Sequence, residues 1–202
     1  MSFRSPKVPA RSGPAKARAG NNVVRIIGGE WRRRVLSFPD GEGLRPTPDR
    51  VRETLFNWLG QDLTGWDCLD LFAGSGALGF EAASRGAARS LLVERAPTVF
   101  AALKDNARLL DGENLQIIRE DALKFVASTD LRFDLVFLDP PYHQGWLEKL
   151  VPHLPRLLKD DGLIYAEAEH PLENLGEWVT TKRGKAGQVF YHLMARNIAD
   201  AE

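Results

Sequence analysis

The strongest restriction on the fold is an alternation of two kinds of segment. From Cys68 onward, short apolar runs at 68–72, 90–93, 115–118, 133–138 and 163–166 are separated by helix-like stretches at 76–85, 97–109, 122–127 and 144–158. Adjacent parallel strands need a crossover of a dozen or more residues, which a helix supplies. This spacing therefore predicts a doubly wound α/β domain, with a mostly parallel sheet covered on both faces. The last apolar pieces, 178–182 and 189–195, have no helix between them and are joined by a glycine-bearing turn at 184–187. They are expected to form an antiparallel hairpin at one edge, giving seven strands in all. No repeat is visible.

The chain before this alternation has a different character. Residues 1–22 consist largely of Ser, Pro, Ala, Gly, Lys and Arg, a composition that buries little and predicts a disordered basic tail. Its acid-poor make-up is superficially that of a transit peptide, but Pro6, Pro9 and Pro14 interrupt any amphipathic helix. Val23 to Ile27, then Gly28-Gly29, then Trp31 to Phe38 predict a small hairpin with a glycine turn and with Arg32, Arg33 and Arg34 along it. Thr47 is placed as the N-cap of a following helix, Pro48 as its first residue and Asp49 at the positive end of its dipole. Val51, Leu55, Trp58 and Leu59 form its apolar stripe, and Arg45, Arg50 and Arg52 cluster around its start. The expected division is tail 1–22, hairpin-plus-helix extension 23–60 and main domain 61–202.

With 44% hydrophobic and 27% charged residues, the 202-residue chain is neither a fibre nor wholly disordered. The single cysteine, Cys68, cannot form an internal disulfide, and no Cys/His spacing suggests zinc, so no metal is expected. No apolar run reaches the roughly 18 residues of a membrane span, and the predicted location is cytoplasmic. The zero net charge conceals a split. Residues 1–52 hold twelve Lys/Arg against four Asp/Glu, and the remainder holds fifteen against twenty-three. A basic end on an acidic body suggests a polyanionic partner, although a solvated tail would look similar.

Two motifs carry chemistry. Asp70-Leu71-Phe72-Ala73-Gly74-Ser75-Gly76-Ala77-Leu78-Gly79 places G-x-G-x-x-G between the first parallel strand and its helix. Glycines there permit a tight turn and close approach of a ligand to the backbone, and Glu94 ends the next strand where a carboxylate can accept from ribose hydroxyls. The loop alone would suit a nicotinamide dehydrogenase. Asp70, however, is awkward beside a pyrophosphate and useful against a cationic sulfonium or ammonium group, so S-adenosylmethionine fits better. Asp121, after the third parallel strand, is placed either to accept from an adenine amino group or simply to cap the next helix.

The second motif, Asp139-Pro140-Pro141-Tyr142, follows the fourth parallel strand. Prolines hold the backbone extended with its carbonyls outward. A planar exocyclic amine needs two acceptors, which the Asp139 carboxylate and Pro140 carbonyl can supply, while the Tyr142 ring stacks on the base. The bland alternative is a Pro-Pro turn with a packing tyrosine. His143 beside it is exposed loop rather than a needed base. Reaching a base in structured nucleic acid also requires that the base be looped out or flipped.

These residues resemble those of the seven-stranded S-adenosylmethionine-dependent methyltransferases, and within them the RsmD family of small-subunit rRNA guanine-N2 methyltransferases. The narrow signals are Arg25-Ile26-Ile27-Gly28-Gly29 with Trp31-Arg32, and Gly43-Leu44-Arg45-Pro46-Thr47 with Asp49 to Trp58. Asp70 to Gly79, Asp139 to Tyr142 and Ala186-Gly187-Gln188-Val189 with Tyr191 extend the match over about 23–196. The resemblance implies methyl transfer to N2 of one guanine of 16S rRNA, the family's position 966, within a small ribosomal subunit or late precursor. It implies a cofactor set of Asp70, Phe72, Gly74 and Gly76 on the methionine side, Glu94 at the ribose, and Asp121 and Ala122 at the adenine. Asp139, Pro140 and Tyr142 would hold the guanine, Arg45, Thr47, Arg50 and Arg52 would border its pocket, and Arg32, Arg33 and Arg34 would contact RNA. The chain departs from the family pattern at two places: Arg33, where a small residue is expected, and Ala96-Pro97, where an acid usually follows the ribose carboxylate. The rival readings are a DNA adenine-N6 or cytosine-N4 methyltransferase, a protein-glutamine methyltransferase, and a non-catalytic ribosome-assembly protein that binds RNA.

Overall fold

Cys68, Leu69, Leu91, Leu92, Leu135, Val136, Phe137 and Leu138 are all buried, neighbours in sequence included, so both faces of these strands are covered. The computed structural model describes residues 22–40, 44 and 46–197; the predicted tail, save Asn22, and Arg45 lie outside the described residues. The elements are β1 (Asn22–Arg25), β2 (Val35–Phe38), α1 (Asp49–Leu59), β3 (Asp67–Asp70), α2 (Ala77–Ser84), β4 (Arg89–Glu94), α3 (Pro97–Leu110), β5 (Leu115–Arg119), α4 (Ala122–Ser128), β6 (Phe133–Leu138), α5 (Trp146–Leu150), a 3-10 turn (Val151–His153), α6 (Leu154–Leu157), β7 (Leu158–Ala168), β8 (Asn174–Leu175), β9 (Trp178–Ala186) and β10 (Val189–Arg196).

The large sheet has the order β5-β4-β3-β6-β7-β10-β9-β8. β5, β4, β3, β6 and β7 run parallel, and β10 inserts antiparallel between β7 and β9. The predicted seven strands are all present, and the eighth is the two-residue β8, pairing with β9 through Asn174 and Leu175. Chain order reverses between β3 and β6, so a crevice opens beyond their carboxyl ends.

Side-chain alternation sorts the core. Cys68, Leu135, Phe137, Tyr165 and Tyr191 face α1 and α2, through Val51, Leu55, Phe56, Leu78 and Ala82. Leu69, Leu91, Val136, Leu138 and Ile164 face the opposite layer of α4, α5 and α6. The hairpin β1–β2 packs Val24, Ile26, Trp31, Leu36 and Phe38 on α2 and α3, so hairpin and helices share one apolar cluster.

Several local expectations are corrected. The helix expected over 144–158 is broken at Pro152 and Pro155 into α5, the 3-10 turn and α6, and strand β7 already begins at Leu158. Each proline removes a backbone donor and clashes with the preceding turn. Strands β1 and β2 are shorter than expected, so Arg32, Arg33 and Arg34 lie in the connection rather than along a strand. Arg33 has φ 72° there, a left-handed conformation that explains why a small residue is expected at this position. Thr47 is not the cap of α1: Pro48 occupies that position and makes no side-chain cap bond. At the far end, β9 continues through Gly184, where a Cβ would strike the Tyr191 ring, and the turn tightens to Gly187-Gln188.

Candidate active site at the carboxyl ends of the strands

The glycine loop leaves β3 with Gly74 at φ 49° and Gly76 at φ 77°. A side chain at Gly76 would overlap Phe80 and Leu103, and one at Gly79 would meet Leu92 at 2.6 Å, so both positions require glycine. The Gly79 N–H donates to Asp70 Oδ2 at 3.0 Å. The Gly74 N–H donates to Glu94 Oε2 at 3.1 Å and the Ala96 N–H to Glu94 Oε1 at 2.7 Å. Loop, Asp70 and Glu94 are thus locked together at adjacent strand ends. Asp70 is 3% exposed, and burial, reinforced by the nearby Glu94 charge against the Gly79 and Phe72 N–H bonds, pushes its pKa up to about 7.

Asp121 caps α4 through Oδ1, accepting from Leu123 N–H at 3.0 Å and Lys124 N–H at 3.3 Å. The capping role weighed from the sequence is therefore real, and neither bond uses its Oδ2. Ala122 is buried as the first residue of α4, and Phe72 packs edge-on against Trp146 at 5.3 Å. Asp70, Phe72, Gly74, Gly76, Glu94, Asp121 and Ala122 line the ends of β3, β4 and β5 in succession.

At β6, Leu138 pairs with Ala166 of β7 and Asp70 of β3 with Phe137, which puts Asp139 between Asp70 and Glu167 on one face. The Thr47 hydroxyl hydrogen-bonds both Asp139 and Glu167. Tyr165 Oη donates to Glu167 Oε1 at 2.8 Å. Burial, with the Glu167 and Asp70 charges, holds the Asp139 carboxyl well above the usual carboxylate range, and burial raises Glu167 as well. Pro140 is buried, whereas Tyr142 is 41% exposed at the mouth of the crevice. His143 sits at φ 60° and its backbone N–H donates to Glu169 Oε1 at 2.6 Å.

Glu167 and Tyr165 escaped the sequence reading. The available signal was an acid inside the apolar stretch Ile164-Tyr165-Ala166-Glu167-Ala168, where a strand buried on both faces has no structural use for a charge.

The arginines divide three ways. Arg50 is exposed at the start of α1. Arg52 is fully buried: it pairs with Glu81 at 3.1 Å and with Asp49, and its Nε donates to the Thr47 carbonyl at 3.1 Å. Its predicted place at an RNA surface is thereby corrected, since an internal ion pair consumes its donors. Arg32, Arg33 and Arg34 are exposed, but their turn is pinned to the C-terminal end of α2 by Glu30 N–H to Ser84 O (2.7 Å) and Trp31 N–H to Ser84 Oγ (2.9 Å). Arg34 also donates to Leu109 O at the C-terminal end of α3. Crossover helices run antiparallel to the strands, so this turn occupies the edge of the sheet opposite Asp70 and Asp139.

The family described as Conserved hypothetical protein 95 matches residues 24–195. Ribosomal RNA small subunit methyltransferase D of Escherichia coli K12 is 44% identical over 185 residues, spanning 88% of this chain and 92% of the relative. The chain belongs to the RsmD family. Its Haemophilus influenzae relative of the same name is 44% identical over 84% of this chain and 92% of its own length. The solved structure of Escherichia coli yhhF superposes with a TM-score of 0.78 at 42% identity, covering 87% of this chain and 99% of that one. A Thermus thermophilus 16S rRNA N2 G1207 methyltransferase, in complex with AdoMet and guanosine, shares the fold at a TM-score of 0.70 and 21% identity, over 93% of this chain and 53% of the other. Among the described residues no helix is long and apolar enough to cross a membrane, and no cluster of His, Cys, Asp and Glu forms a metal site.

Proposed function

We propose that this family member transfers a methyl group from S-adenosylmethionine to the exocyclic N2 of one guanine in 16S rRNA, presented within a small ribosomal subunit or a late precursor. The observation that carries this reading is the pair of carboxyls at the ends of β3 and β6, the buried Asp70 beside the glycine loop and the half-buried Asp139 ahead of Pro140. The name of the Escherichia coli relative supports the substrate class.

The residues fit the cofactor. Asp70 is a buried acid that a cationic ligand would keep ionised, and each Glu94 oxygen retains a lone pair after its backbone bond. Asp70, Phe72, Gly74 and Gly76 would hold the methionine end, Glu94 the ribose, and Asp121 Oδ2 with Ala122 the adenine. When bound, S-adenosylmethionine supplies a methyl group on a cationic sulfur. Asp139 and the Pro140 carbonyl accept from the two amine N–H groups, which aims the nitrogen lone pair, and Tyr142 stacks on the base. Thr47 and Arg50 would border the pocket, and Arg45 is assigned the same role by the sequence resemblance alone. Arg32 and Arg33 would meet phosphates at the opposite edge, so residues 23–60 would act as an RNA-positioning extension reaching from one rim of the sheet to the other.

The test is mass spectrometry of nucleosides after incubation with labelled S-adenosylmethionine and small subunits, naked 16S rRNA or duplex DNA. N2-methylguanosine with the ribosomal substrate is expected, and label in DNA adenine or cytosine would overturn the reading. Asp139→Ala should abolish turnover while calorimetry shows cofactor affinity intact; lost affinity would remove Asp139 from the amine site.

A further inference from the structure

Thr47, Glu167 and Tyr165 are buried beside the half-buried Asp139, and the four form a polar cluster that extends beyond what holding an amine requires. Thr47 is 5% exposed and Glu167 6%. A threonine hydroxyl has one proton to donate and two lone pairs. With both neighbouring carboxyls ionised, one hydroxyl proton would face two acceptors, in a site where the described charged neighbour Asp70 is also an acid. Tyr165 cannot repair this, because its Oη is committed to Glu167 Oε1. A single further proton, shared between the two carboxyls, satisfies the whole set: when it sits on Glu167, that acid donates to the Thr47 oxygen, Thr47 donates to Asp139 and Asp139 is ionised toward the amine, and when it sits on Asp139 the same bonds run the other way. Two carboxyls this close, desolvated together, titrate as a pair rather than singly.

We propose that Asp139 and Glu167 share one proton through the Thr47 hydroxyl, and that this pair receives the proton released when the target amine is methylated. The step balances. As the carbon–nitrogen bond forms and the carbon–sulfur bond breaks, the nitrogen becomes a four-bonded cation. Its N–H bond then breaks with the electron pair left on nitrogen, and the proton passes to the Asp139 carboxylate. The pair, now holding two protons and neutral, returns one to water as the product leaves. Glu167 acts through Asp139 and is a positioning residue, not a catalytic one. The groups facing the pair are Asp70 from β3, Tyr165 from β7, Tyr191 from β10, which pairs with Glu167, and Thr47 ahead of α1.

The inference rests on the amine-methylation reading, and its test separates the two. Infrared difference spectroscopy of the free protein, without cofactor or RNA, at a pH above the Asp70 transition should show a neutral carboxyl band in the wild type that is lost in Glu167→Gln. The glutamine keeps the Tyr165 contact and leaves Asp139 to ionise alone. On small subunits, the single-turnover rate of Glu167→Gln should follow one ionisation fewer than the wild type, whereas a merely structural Glu167 would scale the whole pH profile by one factor. A retained band or a uniformly scaled profile overturns the shared proton. Should Glu167→Gln not fold, Thr47→Val must shift the neutral band by removing its hydrogen-bond partner, and an unmoved band overturns the proposal equally. Absence of rRNA methylation by the wild type would sink the amine reading while the spectrum still decides the pair.

Discussion

Glu81 and Glu167 are both buried glutamates, one on a helix and the other on a strand of the sheet, and their surroundings are opposite. Glu81, on α2, is met by two guanidinium groups, Arg52 at 3.1 Å and Arg85 at 2.8 Å, and by the N–H groups of Ile27 (2.9 Å) and Gly28 (2.8 Å). Its charge is matched, and it ties the glycine turn of the hairpin, α1 and α2 into one body. Glu167 has a tyrosine hydroxyl, a threonine hydroxyl and another carboxyl instead, and burial raises its pKa. The contrast separates an acid used as a joint from one poised to exchange a proton. Equal burial gives structure where cations neutralise the charge and reactivity where they do not.

The comparison can be broken most decisively at Arg52. Because Arg52→Ala leaves Glu81 short of a cation and frees the Thr47 carbonyl, it should destabilise the fold by about 3–5 kcal/mol in urea unfolding. Its exposed neighbour Arg50→Ala should change stability by no more than ~0.5 kcal/mol. Similar losses for the two would mean that the Glu81 cluster does not carry the joint.

A smaller effect sharpens the other side. With its pKa raised to about 7, Asp70 is neutral below that value, and a cationic ligand binds the ionised form more tightly. Binding must therefore release a proton, and S-adenosylmethionine affinity should fall by about tenfold per pH unit below the transition and level off above it. The raised pKa also means that the ionised Asp70 opposes folding, so free-protein stability declines as pH rises from the ordinary carboxylate range toward 7. Calorimetry in buffers of different ionisation heat measures the proton release, and a pH-independent affinity in the wild type would remove Asp70 from the cation's reach.

The smallest effect on the protein itself belongs to the exposed turn. Arg32→Ala with Arg33→Ala should leave unfolding free energy and cofactor affinity unchanged within ~0.5 kcal/mol, while lowering the salt slope of RNA binding by about 2, one for each phosphate that is no longer neutralised. An unaltered slope would confine RNA to the catalytic edge.

Much of this was legible in linear patterns. Strand and helix alternation after Cys68 predicted the parallel sheet because each segment's period is a local property, and Gly74, Gly76, Asp139 and Pro140 announced their chemistry because their special backbone demands travel with the residue type. The breaks at Pro152 and Pro155 are local too, but the apolar spacing around them still reads as one helix. Arg50 and Arg52 could not be told apart in this way. Both belong to one basic cluster in the sequence, and only the approach of Glu81, 29 residues along, turns Arg52 inward.

The same reasoning places Glu167 and the Arg32–Arg34 turn. An acid in an apolar strand is visible in the sequence, but its role depends on β7 lying beside β6 in a register that brings Glu167 to Asp139, and on Thr47 descending from a distant segment onto both. The basic turn announces a polyanion, yet its position at the edge opposite the reacting carboxyls follows from α2 and α3 running back across the sheet. Backbone conformation, amphipathic period and the identity of reactive groups are encoded over a few residues. Charge pairing and proton sharing depend on distance and desolvation, and those exist only once separate strands and helices have packed.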